Sequence, residues 1–200
     1  MEVRTARKAL VVVDVQNDFC PGGALGVDGG DEVVGPLNAA INAFEDAGFH
    51  VFFTRDWHPP DHISFISRGG RWPSHCVQNT NGAAFRKPLA VNPASTIVSK
   101  GYDRDAEAYS GFQGTDLGNK LTGLGVEEVV IGGLTTDYCV KETAKDALKA
   151  GFKVEVLEDC IRAVDANPGD GKKAIEEMKQ AGATFSKSSD EIRKLAGTQQ

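Results

Sequence analysis

Three groups in this sequence can together attack a carbonyl if the fold collects them: an acid at Asp14, a cation at Lys100 and a thiol at Cys139. Each stands at the end of a short apolar run. Ala9-Leu-Val-Val-Val13 ends in Asp14, Thr96-Ile-Val-Ser99 ends in Lys100, and Glu128-Val-Val-Ile131 leads through Gly132-Gly-Leu-Thr-Thr136 towards Cys139. The spacing puts Cys139 in the first turn of a helix that starts at Asp137. Unpaired N–H groups and the macrodipole there favour a thiolate, as does an adjacent lysine. Backbone N–H groups of the same turn can face a developing oxyanion, and Asp14 can take the thiol proton and return it to a leaving amine. Singly, Cys139 reads as a core thiol, Asp14 as a loop acid and Lys100 as a solvated cation. All three at strand ends read as a nucleophile constellation.

Asp56-Trp57-His58 forms a second constellation. Residues two apart on an extended segment project the same way, so one carboxylate and one imidazole face the same space. His75 or His62 would complete a facial Asp/His/His set with open positions for water or substrate; spacing does not decide between them. A D-x-H alone is a weak signal, but three of the four histidines (His58, His62 and His75) fall in this stretch, which strengthens the metal reading. Phe19, Trp72 and Tyr109 can line a flat apolar pocket for an aromatic ligand, or equally belong to the core. The glycine-rich loop Gly22 to Gly30 fits neither the dinucleotide fingerprint nor the P-loop and reads as a turn.

The elements that must position these groups are short and alternate in type. Runs at Ala9–Val13, His50–Thr54, Thr96–Ser99, Glu128–Ile131, Phe152–Leu157 and Ala183–Ser186 are too short for helices and read as buried parallel strands. Asp31–Ala47, Asp137–Ala150 and Gly171–Gln180 read as amphipathic helices, each followed by a glycine stop. Strands alternating with helices imply a parallel sheet covered on both faces, an α/β domain. Ligands of such sheets bind at the carboxyl ends of the strands, where the polar residues above sit. Pro59 to Val91 lacks periodicity, but its prolines, glycines and aromatics suit an ordered loop that forms part of a site.

At 200 residues the chain reads as one domain over 1–200. Lys+Arg 22 against Asp+Glu 28 leaves a net charge of −6 with no basic block, which argues against nucleic acid as a partner. The longest apolar run, Ala9 to Val13, cannot span a bilayer. The N-terminal Met1 to Lys8 does not lead into a signal-peptide core, because Asp14 follows too soon. Cys20, Cys76, Cys139 and Cys160 stand singly, without zinc-ribbon or C-x-x-C spacing. They read as reduced thiols of a cytoplasmic protein. A homo-oligomer is compatible with the chain but not specified by it.

Four longer stretches carry a resemblance. Val11-Val-Val-Asp-Val-Gln-Asn-Asp-Phe-Cys20, Asp56-Trp-His-Pro-Pro-Asp-His62, Trp72-Pro-Ser-His-Cys-Val-Gln78 and Gly133-Leu-Thr-Thr-Asp-Tyr-Cys-Val140 together resemble the nicotinamidases/pyrazinamidases of the isochorismatase-like cysteine hydrolases, from about Ala9 to Phe185 and in the family's order. The resemblance implies a Rossmann-like three-layer α/β/α fold with a six-stranded, mostly parallel sheet. It further implies hydrolysis of nicotinamide to nicotinate and ammonia in NAD salvage, with pyrazinamide also accepted. Asp14, Lys100 and Cys139 match the catalytic triad, and the N–H groups of Thr135 and Cys139 the oxyanion hole, behind a non-proline cis peptide at Leu134–Thr135. Asp56, His58 and His75 match the ligands of one divalent metal, zinc first and iron or manganese as alternatives; His62 matches a position that ligates in some members only. Phe19, Trp72 and Tyr109 match the aromatic walls around a small aromatic amide.

Departures from the family pattern are Thr135 and Asn79, where alanine and glycine are common, and Ala84, where a glutamate would add a carboxylate near the site. Two other readings stand beside the leading one. Another amidohydrolase or isochorismatase of the superfamily would need no pyridine-binding metal, and the Asp56/His58/His75 set argues against it. A non-catalytic binding protein on the same fold would be expected to have a broken triad, and all three residues are present.

Overall fold

A computed structural model describes residues 7–197; the chain start through residue 6, and the reading made on it, lie outside them. Six parallel strands form one sheet in the order β3-β2-β1-β4-β5-β6: β1 Lys8–Val13, β2 His50–Asp56, β3 Thr96–Lys100, β4 Glu128–Leu134, β5 Lys153–Arg162 and β6 Thr184–Ser186. Successive side chains of a strand point to opposite faces, and β1 shows the consequence. Leu10 and Val12 pack with Leu37, Ile41 and Phe44 of helix α1 (Val34–Asp46) and Leu195 of helix α5 (Ser188–Gly197). Ala9, Val11 and Val13 pack on the other side with helices α2 (Leu117–Gly123), α3 (Lys141–Lys149) and α4 (Asp170–Ala181). The fold is therefore three layers, with a core on each side of the sheet. Phe44 and Leu37 are fully buried, and burial of a side chain of this size contributes about 1.5–3 kcal/mol.

The chain starts at the centre of the sheet, builds outward through β2 and β3, then returns to lay β4 against the other side of β1. Strands β1 and β4 feed helices on opposite faces, so their carboxyl ends open a crevice between them. That topological switch point is where open α/β sheets bind ligands. Asp14 follows β1 and Cys139 follows β4, one on each lip.

Several boundaries differ from the sequence reading. The segment read as one helix from Asp31 opens as a 3-10 turn, Gly30–Val33, before α1 begins. The helix expected from Asp137 opens as a π-helical turn, Thr136–Val140, and only then becomes α3. Strand β5 continues past Leu157 to Arg162, across a register irregularity opposite Ile131 and Gly133. Helices α2 and α5 were not read at all: α2 is two turns long with only Leu117 and Leu121 buried, and α5 buries Leu195 beside the polar Ser188 and Glu191. Neither leaves an apolar stripe long enough to register. The long segment after β2 is an ordered loop, pinned by single bridges His58 to Val77 and Phe65 to Trp72. All four cysteines are free and buried. Among the described residues no helix is long and apolar enough to cross a membrane.

Candidate active site

The carboxyl ends of β1, β2, β3 and β4 bring four ionisable groups into one buried cluster. Lys100, the last residue of β3, is fully buried with its Nζ 2.8 Å from Asp14 Oδ2, hydrogen-bonded to Asp56 Oδ1, and 3.4 Å from Cys139 Sγ. The Ala108 carbonyl accepts from the same ammonium at 3.3 Å. Burial would lower the lysine pKa, but Asp14, Asp56 and Cys139 hold it well above its usual value, which favours the ammonium. Burial alone would raise the Asp56 carboxyl, yet Lys100, His58 and His75 hold it below the ordinary carboxylate range. Asp14 goes the other way, raised by burial and by Asp56 against the pull of Lys100.

Cys139 sits in the π-helical turn after β4, just inside the wall of a cavity, and is 5% exposed. Burial is the largest influence on its thiol and pushes it well above its usual pKa; Asp14 and Asp56 add to this, and Lys100 opposes it. The expectation of a thiolate favoured by a helix start is thus corrected. The turn is π-helical, the sulfur is buried and two carboxylates lie close to it, which favours the thiol. A nucleophile arises here only by proton transfer to a base in reach. Thr135, expected to supply an oxyanion donor, follows a cis peptide at Leu134–Thr135; its carbonyl accepts the N–H groups of Tyr138 and Val140, at 3.2 and 3.1 Å, which holds the turn shut around Cys139.

Asp56, His58 and His75 form a second, adjoining group, with one donor atom from each inside a span of 4.8 Å. Asp56 Oδ2 lies 3.6 Å from His58 Nε2 and 4.0 Å from His75 Nε2. Each imidazole donates its Nδ1–H to a carbonyl, His58 to Gly101 and His75 to Pro73, both at 2.8 Å. That arrangement turns both Nε2 lone pairs towards Asp56, the form in which histidine ligates a metal. Gly101, at φ +62°, leaves room for the His58 ring, because a Cβ there would come within 2.5 Å of Cε1. Two imidazoles and a carboxylate, buried and pre-oriented, fit a divalent transition metal. His62 does not join them. Its Nδ1 bonds Ser64 Oγ at 2.7 Å and its Nε2 the Ala106 carbonyl at 3.0 Å, while its ring stacks on His58 with centroids 4.1 Å apart.

Between the two groups lies a cavity of about 420 Å³, including its opening to solvent. Phe19, Trp72 and Tyr109 line it, as does Tyr138, which the sequence reading passed over. Trp72 Nε1 donates to the Tyr109 hydroxyl at 3.0 Å, and both rings pack on Tyr138 at centroid distances of 5.1 and 5.7 Å. The walls accept a flat aromatic ring. Cys139, His58 and His75 all line the cavity, so a ring nitrogen and a substituent carbonyl can be engaged together.

Two other polar residues, the buried Gln16 and the half-buried Asp18, hold this arrangement and were also missed. Gln16 clamps the backbone of Asp56, accepting its N–H and donating to its carbonyl, both at 2.8 Å. Asp18 accepts the Cys76 N–H at 2.7 Å and so anchors the loop that carries His75. Both lie in the Val11–Cys20 stretch, where polar residues directly after a buried strand were the available signal. Of the departures, Asn79 adopts the positive φ of 62° that a glycine would take, and Ala84 is exposed and does not line the cavity.

Comparison with known proteins places these residues in context. The family model for the isochorismatase domain matches residues 8–190. The chain is 39% identical to a nicotinamidase of Escherichia coli K12, over 89% of this chain and 93% of that one. It is 40% identical to a nicotinamidase/pyrazinamidase of Mycobacterium tuberculosis, over 87% and 95% respectively. Among solved structures, a pyrazinamidase of Pyrococcus horikoshii in complex with zinc superposes with a TM-score of 0.86 at 49% identity, covering 90% of this chain and 99% of that one.

Proposed function

The chain belongs to the isochorismatase family, and on that premise we propose that it is a nicotinamidase that hydrolyses nicotinamide to nicotinate and ammonia, and pyrazinamide by the same route. The observation that carries this reading is the aromatic-walled cavity lined by the Cys139 thiol, which is backed by the buried Asp14 and Lys100, and by the three-donor set Asp56, His58 and His75. The named activities of its relatives support it.

The carboxamide carbon sits over Cys139 Sγ. The sulfur attacks, the S–C bond forms, and the thiol proton passes to Asp14. Negative charge moves to the amide oxygen, where the N–H groups of Thr135 and Cys139 receive it. Collapse breaks the C–N bond, Asp14 returns the proton to nitrogen, and ammonia leaves a thioester on Cys139. Water then attacks the thioester carbonyl with Asp14 as base; nicotinate departs and the thiol is restored. Lys100 stays charged throughout and keeps the Asp14 and Asp56 carboxylates facing the sulfur. Asp56, His58 and His75 would hold a divalent ion, zinc by analogy with the Pyrococcus neighbour, whose chemistry here is to anchor and polarise the ring nitrogen rather than to make the nucleophile. Phe19, Trp72, Tyr109 and Tyr138 orient the ring.

Ammonia release by the purified, zinc-loaded protein tests the substrate. Nicotinamide and pyrazinamide should be hydrolysed, and benzamide, which lacks a ring nitrogen, should be a far poorer substrate. Equal turnover of benzamide would remove the metal set from substrate recognition. No turnover of any of the three would overturn the reading.

A further inference from the structure

We propose that Thr54 is a positioning residue for the general base: it occupies one oxygen of Asp14 so that the other faces the thiol of Cys139. The proposal rests on the proton-transfer role given to Asp14 above and adds the residue that decides which atom performs it.

Thr54 lies in β2, beside β1, and both Thr54 and Asp14 are fully buried. Its hydroxyl donates to Asp14 Oδ1 at 2.6 Å, and its carbonyl accepts the Asp14 N–H at 3.2 Å. The backbone contact matters because Asp14 stands at φ +46°, in the left-handed region that residues other than glycine seldom occupy. That turn of the chain directs the carboxylate across the end of the sheet towards β4 and Cys139. Two contacts from one residue therefore fix both the turn and the rotation of the carboxyl group.

The two oxygens of Asp14 differ as a result. Oδ1 carries the short bond from Thr54. Oδ2 accepts no well-aligned hydrogen bond, although it is buried and 2.8 Å from Lys100 Nζ as an ion pair. One donor atom each from Asp14, Asp56 and Cys139 lies within 4.8 Å of the others. Oδ2 is thus the oxygen with acceptor capacity left over, and it faces the Lys100 ammonium, which itself reaches Cys139 Sγ at 3.4 Å. Without the Thr54 hydroxyl, the carboxyl group is free to rotate about its Cβ–Cγ bond, and Lys100 would hold either oxygen equally well. Small misplacements of a catalytic group cost as much as about a hundredfold in rate.

The test compares Thr54→Val, which keeps the branched shape and loses the hydroxyl, with Thr54→Ser, which keeps the hydroxyl and loses the methyl. For nicotinamide, Thr54→Val should lower kcat by about ten- to a hundredfold with KM and bound zinc unchanged, and Thr54→Ser should recover most of that loss. A second measurement needs no substrate: the rate at which iodoacetamide alkylates Cys139, read by peptide mass, should fall in Thr54→Val and recover in Thr54→Ser. If the parent protein fails to hydrolyse nicotinamide, the assigned substrate is wrong, and the alkylation rates alone still decide the role of Thr54. Parent-like kcat and alkylation in Thr54→Val would overturn the proposal. So would equal losses in both variants with KM and zinc content also disturbed, the pattern of a packing residue.

Discussion

A methyl group added at Gly101 would collide with the His58 ring, 2.5 Å from Cε1 and 2.8 Å from Nδ1. The ring has little room to retreat, because His62 stacks on it at 4.1 Å and Phe65 meets it edge-on at 5.6 Å. Relief must come from rotating the imidazole or shifting Gly101, and either loosens the 2.8 Å bond from Nδ1–H to the Gly101 carbonyl that aims Nε2 at Asp56. Loss of such a supporting bond to a ligating histidine costs about 10–100-fold in metal affinity, or about 1.4–2.8 kcal/mol. The left-handed φ of +62° adds about 1–2 kcal/mol of backbone cost for alanine, which lowers stability with or without metal. Gly101→Ala should therefore bind zinc about 10–100-fold more weakly in competition with a chromophoric chelator, while the metal-free protein melts only modestly lower. Parent-like zinc affinity in a folded Gly101→Ala would refute the assignment of His58 Nε2 as a ligand held by this contact.

Tyr109→Phe removes the acceptor for Trp72 Nε1; both residues are half-buried, so the orphaned donor costs about 1 kcal/mol, and KM for nicotinamide should rise by about fivefold with kcat held. A fall in kcat at unchanged KM would show that Tyr109 does more than hold the wall. Asp56→Ala should lose bound zinc, measured by elemental analysis, and unchanged occupancy would remove Asp56 from the donor set. Far from the site, burial would raise the Glu155 carboxyl, but Lys194 at 2.6 Å and its other partners hold it below the ordinary 4.5. A depressed carboxyl contributes stability above its unfolded pKa and loses it as pH falls through the folded value. Melting temperature should therefore drop below about pH 4.5, and Glu155→Gln should flatten part of that drop. The effect is small because Lys194 is half exposed and screened; an unaltered acid limb would show that the pair contributes nothing.

How much of this molecule was legible in its sequence depends on how local the determining physics is. The strands were readable because β-branched runs such as Leu10 to Val13 and Val129 to Ile131 have no other stable use, and their polar ends exposed Asp14 and Lys100. Helix α5 was not readable, because it is held by Asp159 bonding Ser188 and by the Lys8–Glu191 and Lys194–Glu191 pairs rather than by an apolar stripe. Spacing alone could not choose between His62 and His75. The choice rests on which ring nitrogens the Ser64 hydroxyl and the Ala106, Pro73 and Gly101 carbonyls occupy, all set by the tertiary path of the loops. The thiol of Cys139 was likewise read from a local cue, a helix start, which carries no trace of the burial and the two carboxylates from β1 and β2 that raise it. Thr54 gave no signal of its own: a threonine in a strand is ordinary until the acid it serves is found beside it.

The central claim is that Cys139 is the nucleophile of nicotinamide hydrolysis. It is tested most directly by ammonia release from nicotinamide by the zinc-loaded parent and by Cys139→Ala side by side, with zinc content and melting temperature measured on both. The account predicts steady release by the parent and none above the uncatalysed background by the variant, at equal zinc occupancy and similar stability. Sustained hydrolysis by a folded, zinc-loaded Cys139→Ala would contradict it.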